Sequence, residues 1–283
     1  MVTVAILLTV YNRKQEALET LRACLGEIDG MKADDNLSFT VYMLNDASTD
    51  GMAEVVSQTF PQVRIVEGAG YLYWNRGMRQ VWEEAAREDY DFYLWLRLGT
   101  RLRPGALSTL METSHFLRHK ALLAGTAAVA GDVPYAGGRT RKNRLIEPDP
   151  AIPVPCYTFN GYLVLVPKAV FRALGNLDPF YRHNFGDYDY GVRAMKAGIS
   201  RVVAPGILAD YYGKRELPRW RDAAYSLKER YAFMLSPLGR PPQEQFHYDC
   251  RSMGFFGAVW HFITQNLSVL FPKRADRSLT NNS

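Results

Sequence analysis

The 283-residue sequence predicts an α/β protein built on a doubly wound sheet, and three observations carry that expectation. Val2 to Val10 is an unbroken β-branched and aliphatic run, the pattern of a strand buried on both faces of a parallel sheet. Strand-like runs then alternate with stretches of helical spacing through the first hundred residues. A content of 47% hydrophobic and 13% aromatic residues is enough for a full-sized core.

Composition narrows the function classes. Lys and Arg exceed Asp and Glu by 34 to 29, and the sequence pI near 9.0 favours an anionic ligand, such as a nucleotide diphosphate or an acidic lipid surface. The excess is modest and fits a well-solvated surface equally; no nucleic-acid partner is expected. Cys24, Cys156 and Cys250 are scattered and odd in number, without CxxC spacing, so neither a disulfide framework nor a zinc site is indicated, and a reducing cytosol fits. Met1 to Val10 lacks a preceding basic region and a cleavage site, so it reads as a core strand rather than a signal peptide. With no run of roughly 20 apolar residues, no transmembrane helix is expected. The expected location is the cytoplasm, extending to the inner face of a membrane.

In chain order, Lys14 to Ile28 is a helix carrying Leu18, Leu21 and Leu25, with Gly30 as its stop. A second strand, Phe39 to Leu44, runs into Asn45-Asp46-Ala47-Ser48-Thr49-Asp50-Gly51, and Met52 to Phe60 is the next helix. Arg64 to Val66 is a short strand; Asn75 to Arg87 is a helix entered through the loop Gly68 to Trp74; Phe92 to Leu96 is the fourth strand. A helix over Pro104 to His119 and a strand over Leu122 to Val129 follow. A polar, glycine-rich excursion through Arg139, Arg141, Lys142 and Arg144 then reads as a mobile flap or a solvated loop. Arg201 to Leu208 is a further strand. In such a sheet the ligand crevice lies beyond the carboxyl ends of the strands, where Thr9-Val10-Tyr11-Asn12-Arg13, the Asn45 to Gly51 turn and Arg97 to Arg101 fall.

Several motifs stand out. Leu94-Trp95-Leu96-Arg97-Leu98-Gly99 closes the fourth strand. Gly68-Ala69-Gly70-Tyr71-Leu72-Tyr73-Trp74-Asn75-Arg76-Gly77-Met78-Arg79 combines glycines, aromatics and cations. Phe159-Asn160-Gly161-Tyr162-Leu163-Val164-Leu165-Val166-Pro167 is an apolar strand with a polar entry. Phe185-Gly186-Asp187-Tyr188-Asp189-Tyr190-Gly191-Val192-Arg193 opens a helix with acids in its first turn, and Asp189 and Arg193 are spaced to pair at i,i+4. These segments resemble the GT-A glycosyltransferases of family 2, in particular bacterial polysaccharide enzymes of the rhamnosyl- and galactofuranosyl-transferase kind. The matching runs there are "TVYNR", "NDASTDG", "GN-x-FW-NRGMR", "LWLNDD", "FNGN-x-VLIP" and an "ED" or "GD" pair. Leu227-Lys228-Glu229-Arg230-Tyr231 with Leu235 to Arg240 resembles their "SL-x-ER…L-x-SPKG" tail, so the likeness extends over most of the chain.

The resemblance implies a GT-A fold, a Rossmann-like mixed sheet flanked by helices, with residues 1-103 forming the nucleotide-sugar half and 104-215 the acceptor half. Residues 216-283 would be a helical extension. It implies an inverting transferase for a nucleotide-diphosphate sugar of UDP or dTDP type, acting on a glycan or lipid-linked glycan. Asp187 would be the base. Thr9, Tyr11, Arg13 and Asp46 would line the nucleoside, with Asp46 accepting from a base imide N–H; the alternative is that Asp46, Ser48, Thr49 and Asp50 cap the following helix. Asn75 and Arg76, at a helix start, would meet phosphate, unless that loop is simply aromatic packing. Asn160, Gly161 and Asp189 would border the acceptor. The family's acidic metal motif is replaced by Arg97-Leu98-Gly99, and no histidine lies between His183 and His247 to complete a metal site. No Mg²⁺ or Mn²⁺ is therefore expected, and Arg97 and Arg101 would supply fixed charge instead. The alternative is a catalytically silent GT-A domain that serves as a subunit. At the end of the chain Phe255, Val259, Phe262 and Ile263 share one side of a helix followed by Lys273 and Arg274, suited to a membrane interface or to core packing.

Overall fold

A computed structural model describes residues 1–31, 36–130, 132–213 and 217–272. The chain divides into two compact units, Met1–Pro179 with Gly186–Gly213, and Phe180–Phe185 with Lys214–Ser283.

The first unit begins with β1 (Val2–Val10), α1 (Lys14–Gly30), β2 (Leu37–Asn45), α2 (Met52–Thr59), β3 (Arg64–Glu67), α3 (Tyr73–Ala85) and β4 (Phe92–Leu96). β1 explains why the run from Val2 to Val10 has no polar alternation. Its even-numbered Val4, Ile6, Leu8 and Val10 enter a core beneath α1 and α2, while Ala5 and Leu7 enter a second core beneath α3. Parallel pairing of β1 with both β2 and β4 puts the carboxyl ends of these strands side by side.

The remainder of the unit consists of β5 (Thr100–Leu102), α4 (Ala106–Phe116), β6 (Ala121–Val129), β7 (Val133–Ala136), β8 (Gly138–Arg139), β9 (Val154–Pro155), β10 (Thr158–Phe159), β11 (Leu163–Pro167), α5 (Lys168–Leu174), α6 (Gly186–Lys196) and β12 (Ser200–Tyr211). The sheet runs β3-β2-β1-β4-β11-β6-β12-β5, and β11 lies antiparallel between β4 and β6, making the sheet mixed. Gly30 proves to be the last helical residue of α1 rather than a residue beyond it, and Met31 is the cap. α3 starts at Tyr73, two residues before the expected Asn75.

In the second unit, α7 (Leu227–Leu235) opens with a capping box in which Ser226 accepts from the Glu229 N–H and Glu229 accepts from the Ser226 N–H. α8 (Pro242–Met253) and α9 (Phe255–Ser268) follow. α9 buries only Ala258 and Gln265 and leaves Phe256 87% and Trp260 70% exposed, with Phe255, Phe262 and Ile263 also exposed. Lys273 and Arg274 lie outside the described residues. No described helix is long and apolar enough to cross a membrane.

α6 is anchored by charge. Asp189, with no exposed surface, takes the Arg193 Nε–H at 3.0 Å, and Arg193 donates onward to the carbonyls of Leu174 and Asn176 at 2.7 and 2.9 Å. The i,i+4 spacing legible in the sequence is thus realised, and the pair ties the helix to the end of α5. A buried pair of this kind is costly to break from one side, because the remaining carboxylate stays buried without the opposite charge that compensates it. Arg193→Met is expected to lower the unfolding free energy by about 3–5 kcal/mol in urea titrations. A loss under about 1 kcal/mol would show that water or neighbouring groups satisfy Asp189 unaided.

Candidate functional site

β4 ends at Leu96, and the chain then turns. The Arg97 N–H donates to the Tyr162 carbonyl at 2.8 Å, the Thr100 N–H returns to the Arg97 carbonyl at 3.1 Å, and Gly99 takes a φ of +82° that few other residues adopt. The register Leu163 opposite Leu96 sets Tyr162 beside Arg97. As a result the Arg97 guanidinium stands 4.8 Å from the centre of the Tyr162 ring and 5.9 Å from that of Trp74, contacts that typically contribute about 0.5–2 kcal/mol each. Arg97 enters no ion pair among the described residues.

Asp187 lies close to this arginine. Its Oδ2 accepts from the Gly161 N–H at 2.7 Å and its Oδ1 from the Tyr188 N–H at 2.8 Å, with the side chain in the first turn of α6 and 9% of the residue exposed. Burial raises its proton affinity above the ordinary aspartate range; the two N–H donors and the positive Arg97 oppose the rise without cancelling it. Gly161 is required where it stands, since a Cβ there would sit 2.5 Å from the Trp74 ring and 3.2 Å from the Asp187 Cβ. Arg97, Trp74, Gly161 and Asp187 therefore form one cluster at the carboxyl end of β4, on the side where open α/β sheets bind ligands.

The nucleoside-side residues are held mainly by backbone. Asn12 Oδ1 accepts from the Thr49 N–H at 2.7 Å, Ser48 Oγ from the Asn12 N–H at 3.0 Å, and Asp50 Oδ2 from the Lys14 N–H at 2.8 Å, so the loops after β1 and β2 clasp each other. Thr9 is half-buried and so close to α3 that a Cβ on Gly77 would lie 2.5 Å from its hydroxyl. Tyr11 and Arg13 are exposed, and Arg13 pairs with Glu16 at 3.0 Å. Asp46 is buried, and it does not cap α2. Its carboxylate takes the N–H groups of Gly70 at 2.7 Å, Leu72 at 2.9 Å and Tyr73 at 3.3 Å, so it closes the glycine loop onto the start of α3 instead of capping α2. Asp50 Oδ1 accepts from the N–H of Met52, the first residue of α2, at 3.2 Å, while Gly51 is the cap residue.

Some residues named from sequence stand elsewhere than expected. Asn75 is fully buried and donates to the Asp178 carbonyl at 2.9 Å, while a Cβ on Gly186 would strike its Oδ1; it joins α3 to the start of α6 and offers no surface to a phosphate. The anion at that helix start is Asp46 itself. Asp189 is likewise withdrawn from any acceptor by its burial and its pair with Arg193. Arg76 donates to the Pro179 carbonyl at 3.4 Å. Arg101 points to α1, where it pairs with Glu19 and stacks 3.9 Å over the Tyr212 ring, beside a cleft of about 230 Å³ lined by Glu16, Glu19, Thr20, Gly99 and Gly213. Asn160 bridges Arg139, at 2.8 Å, and the Tyr188 hydroxyl, at 2.9 Å. Trp74 and Tyr162, which frame Arg97, were not singled out in the sequence. The pairing of β4 with β11 brings Tyr162 to Arg97, and the packing of α3 on β4 brings Trp74, both contacts between distant segments.

The side chains present do not fit a divalent ion. A hard cation needs several oxygen ligands, and the turn after β4 supplies a cation, an apolar side chain and a glycine. Asp91 is at the opposite end of β4, held by the Thr3 N–H and hydroxyl at 3.0 Å. Asp210 is taken by Arg103, which also reaches Asp132. No three acidic, histidine or cysteine side chains converge among the described residues.

No known family's profile matches the sequence, and no curated protein matches it. Solved structures do. Residues 1–349 of S. aureus TarS align over 98% of this chain and 77% of that one, with a TM-score of 0.59 at 12% identity. The same segment in complex with UDP-GlcNAc aligns over 99% and 76%, with a TM-score of 0.59 at 14% identity, and its complex with UDP over 98% and 77%, with the same score and identity. At such identities the likeness concerns the fold, and the fold is the one expected: GT-A, a Rossmann-like mixed sheet flanked by helices, with a helical C-terminal extension.

Proposed function

We propose that this protein is an inverting glycosyltransferase that moves a sugar from a nucleotide-diphosphate donor to a hydroxyl of a glycan or lipid-linked glycan in cell-surface polysaccharide synthesis, without a metal ion. The observation that carries the reading is the juxtaposition of a buried, proton-hungry Asp187 and the unpaired cation of Arg97 at the crevice of the sheet. Asp187 takes the acceptor's hydroxyl proton as the oxygen attacks the anomeric carbon. The bond from that carbon to the diphosphate breaks on the opposite face, and its electron pair leaves with the diphosphate, whose growing charge Arg97 stabilises, with Arg76 as a second cation in this reading. Arg101 is better placed to brace β5 than to reach the diphosphate. Asp46 fixes the loop that frames the nucleoside; with a single donor on Oδ1 it keeps a lone pair for the imide N–H of uracil or thymine. The UDP and UDP-GlcNAc complexes of TarS support a uridine donor. The apolar, carboxylate-free face of α9 supports attachment to the inner surface of a membrane, where a lipid-linked acceptor would be met.

The direct test is a panel of UDP- and dTDP-sugars, scored for transfer or hydrolysis. Consumption of none of them would favour the silent-subunit reading. Given an active donor, Asp187→Asn is expected to reduce turnover by roughly 100-fold or more while retaining UDP binding. Near-wild-type turnover would remove Asp187 from the role. Because burial raises its proton affinity and the base acts ionised, kcat/KM should fall as pH drops through a value above the usual aspartate range of about 4. An acidic limb at or below that value would indicate a solvated carboxylate.

Arg97→Gln keeps a similar length but removes the charge. Loss of one preorganised donor to a developing anion lowers kcat by about 10²–10³, and this variant should show that loss with a much smaller change in UDP affinity. Unchanged kcat would assign leaving-group stabilisation to another group.

A further inference from the structure

The excursion through Arg139 to Arg144 is an ordered hairpin. The Thr140 N–H donates to the Arg144 carbonyl at 2.9 Å, the Ile146 N–H donates to the Gly138 carbonyl at 2.9 Å, and Thr140 Oγ1 accepts the Arg144 N–H at 3.1 Å. Gly138 packs too closely on Val203 and Cys156 to carry a side chain, so the base of the hairpin is fixed to the sheet. Its tip presents Arg141, Lys142 and Arg144, all exposed, and none of them enters an ion pair among the described residues; Glu147, the first acid beyond the tip, does not neutralise them. At the base, Arg139 donates to Asn160 Oδ1, and Asn160 is followed directly by Gly161, whose N–H holds Asp187. Asn160 also donates to the hydroxyl of Tyr188, whose own N–H binds the other oxygen of Asp187. A concentrated positive charge is therefore tied, through two side-chain hydrogen bonds, to the residues on either side of the proposed base.

We propose that this hairpin binds a phosphate group of the acceptor, so that the acceptor is a phosphate-bearing molecule presented hydroxyl-first to Asp187. This rests on the glycosyl-transfer reading for the role of Asp187, but the phosphate site stands on the hairpin alone. Exposed cations facing no carboxylate attract a polyanion over a Debye length, and the fixed base orients what they capture.

The test uses short inorganic polyphosphate as the probe, by fluorescence anisotropy, with UDP and phosphatidylglycerol vesicles as separate arms. The triple variant Arg141→Gln, Lys142→Gln, Arg144→Gln alters only exposed side chains and leaves the hairpin's backbone bonds in place. It should bind polyphosphate at least about tenfold more weakly at low salt, with a flatter dependence on salt concentration, and should bind UDP and vesicles as the unaltered protein does. Equal polyphosphate binding by both proteins, or binding by neither, overturns the proposal. A matching loss of UDP affinity would place the hairpin in the donor site, and a matching loss of vesicle binding would make it a membrane contact; either overturns it as well. Hairpin-dependent polyphosphate binding by a protein that consumes no sugar nucleotide would keep the phosphate site and remove the transfer reading.

Discussion

The hydrogen bond from the Gly161 N–H to the Asp187 carboxylate is the contact on which the site depends. It joins the turn before β11 to the first turn of α6, and it exists only because position 161 has no side chain to meet Trp74. The same turn delivers Tyr162 to Arg97 through the pairing of β11 with β4. One backbone N–H thus sets the orientation of a buried acid, while its neighbour in sequence sets that of a buried-side cation. The acid's raised proton affinity is a consequence of the dry position this contact creates, moderated by the arginine.

Charge placement elsewhere is consistent with a diphosphate-sized anion being handled without a metal. Three acids at the strand ends are each committed: Asp46 to three backbone N–H groups, Asp210 to Arg103, Asp91 to Thr3 at the far end of its strand. Arg101 and Arg13 are committed too, to Glu19 and Glu16. Arg97 is left facing aromatic rings, which stabilise a guanidinium without cancelling its charge.

Much of the sheet was legible in the sequence because central strands buried on both faces read as apolar runs, as Val2 to Val10 and Phe92 to Leu96 do. Arg97 after β4 and Asp187 at the start of α6 could be named from local sequence for the same reason: their places follow from element ends. What local sequence could not supply was partnership across distant segments. Asn75 looked like a free polar group at a helix start, but Gly186 and Asp178 bury it. Asp46 read as a nucleoside ligand or, alternatively, as a cap for α2; its carboxylate reaches 24 to 27 residues along the chain to the loop before α3 and the first residue of that helix. Arg101 looked like a second phosphate ligand because alternation along a three-residue strand says nothing of Glu19 on α1. The pairing of β11 with β4, which sets Leu163 opposite Leu96 and so Tyr162 beside Arg97, joins segments far apart in the chain and leaves no mark in either strand alone.

The central claim is that Arg97 and its surroundings provide the positive charge that a divalent ion would otherwise bring to the donor. Calorimetric titration of UDP into the protein, once with EDTA and once with Mn²⁺, measures this most directly. The account predicts the same affinity in both titrations. A gain of tenfold or more with Mn²⁺, about 1.4 kcal/mol, would contradict it and show that carboxylates now paired within the protein are released to hold a metal.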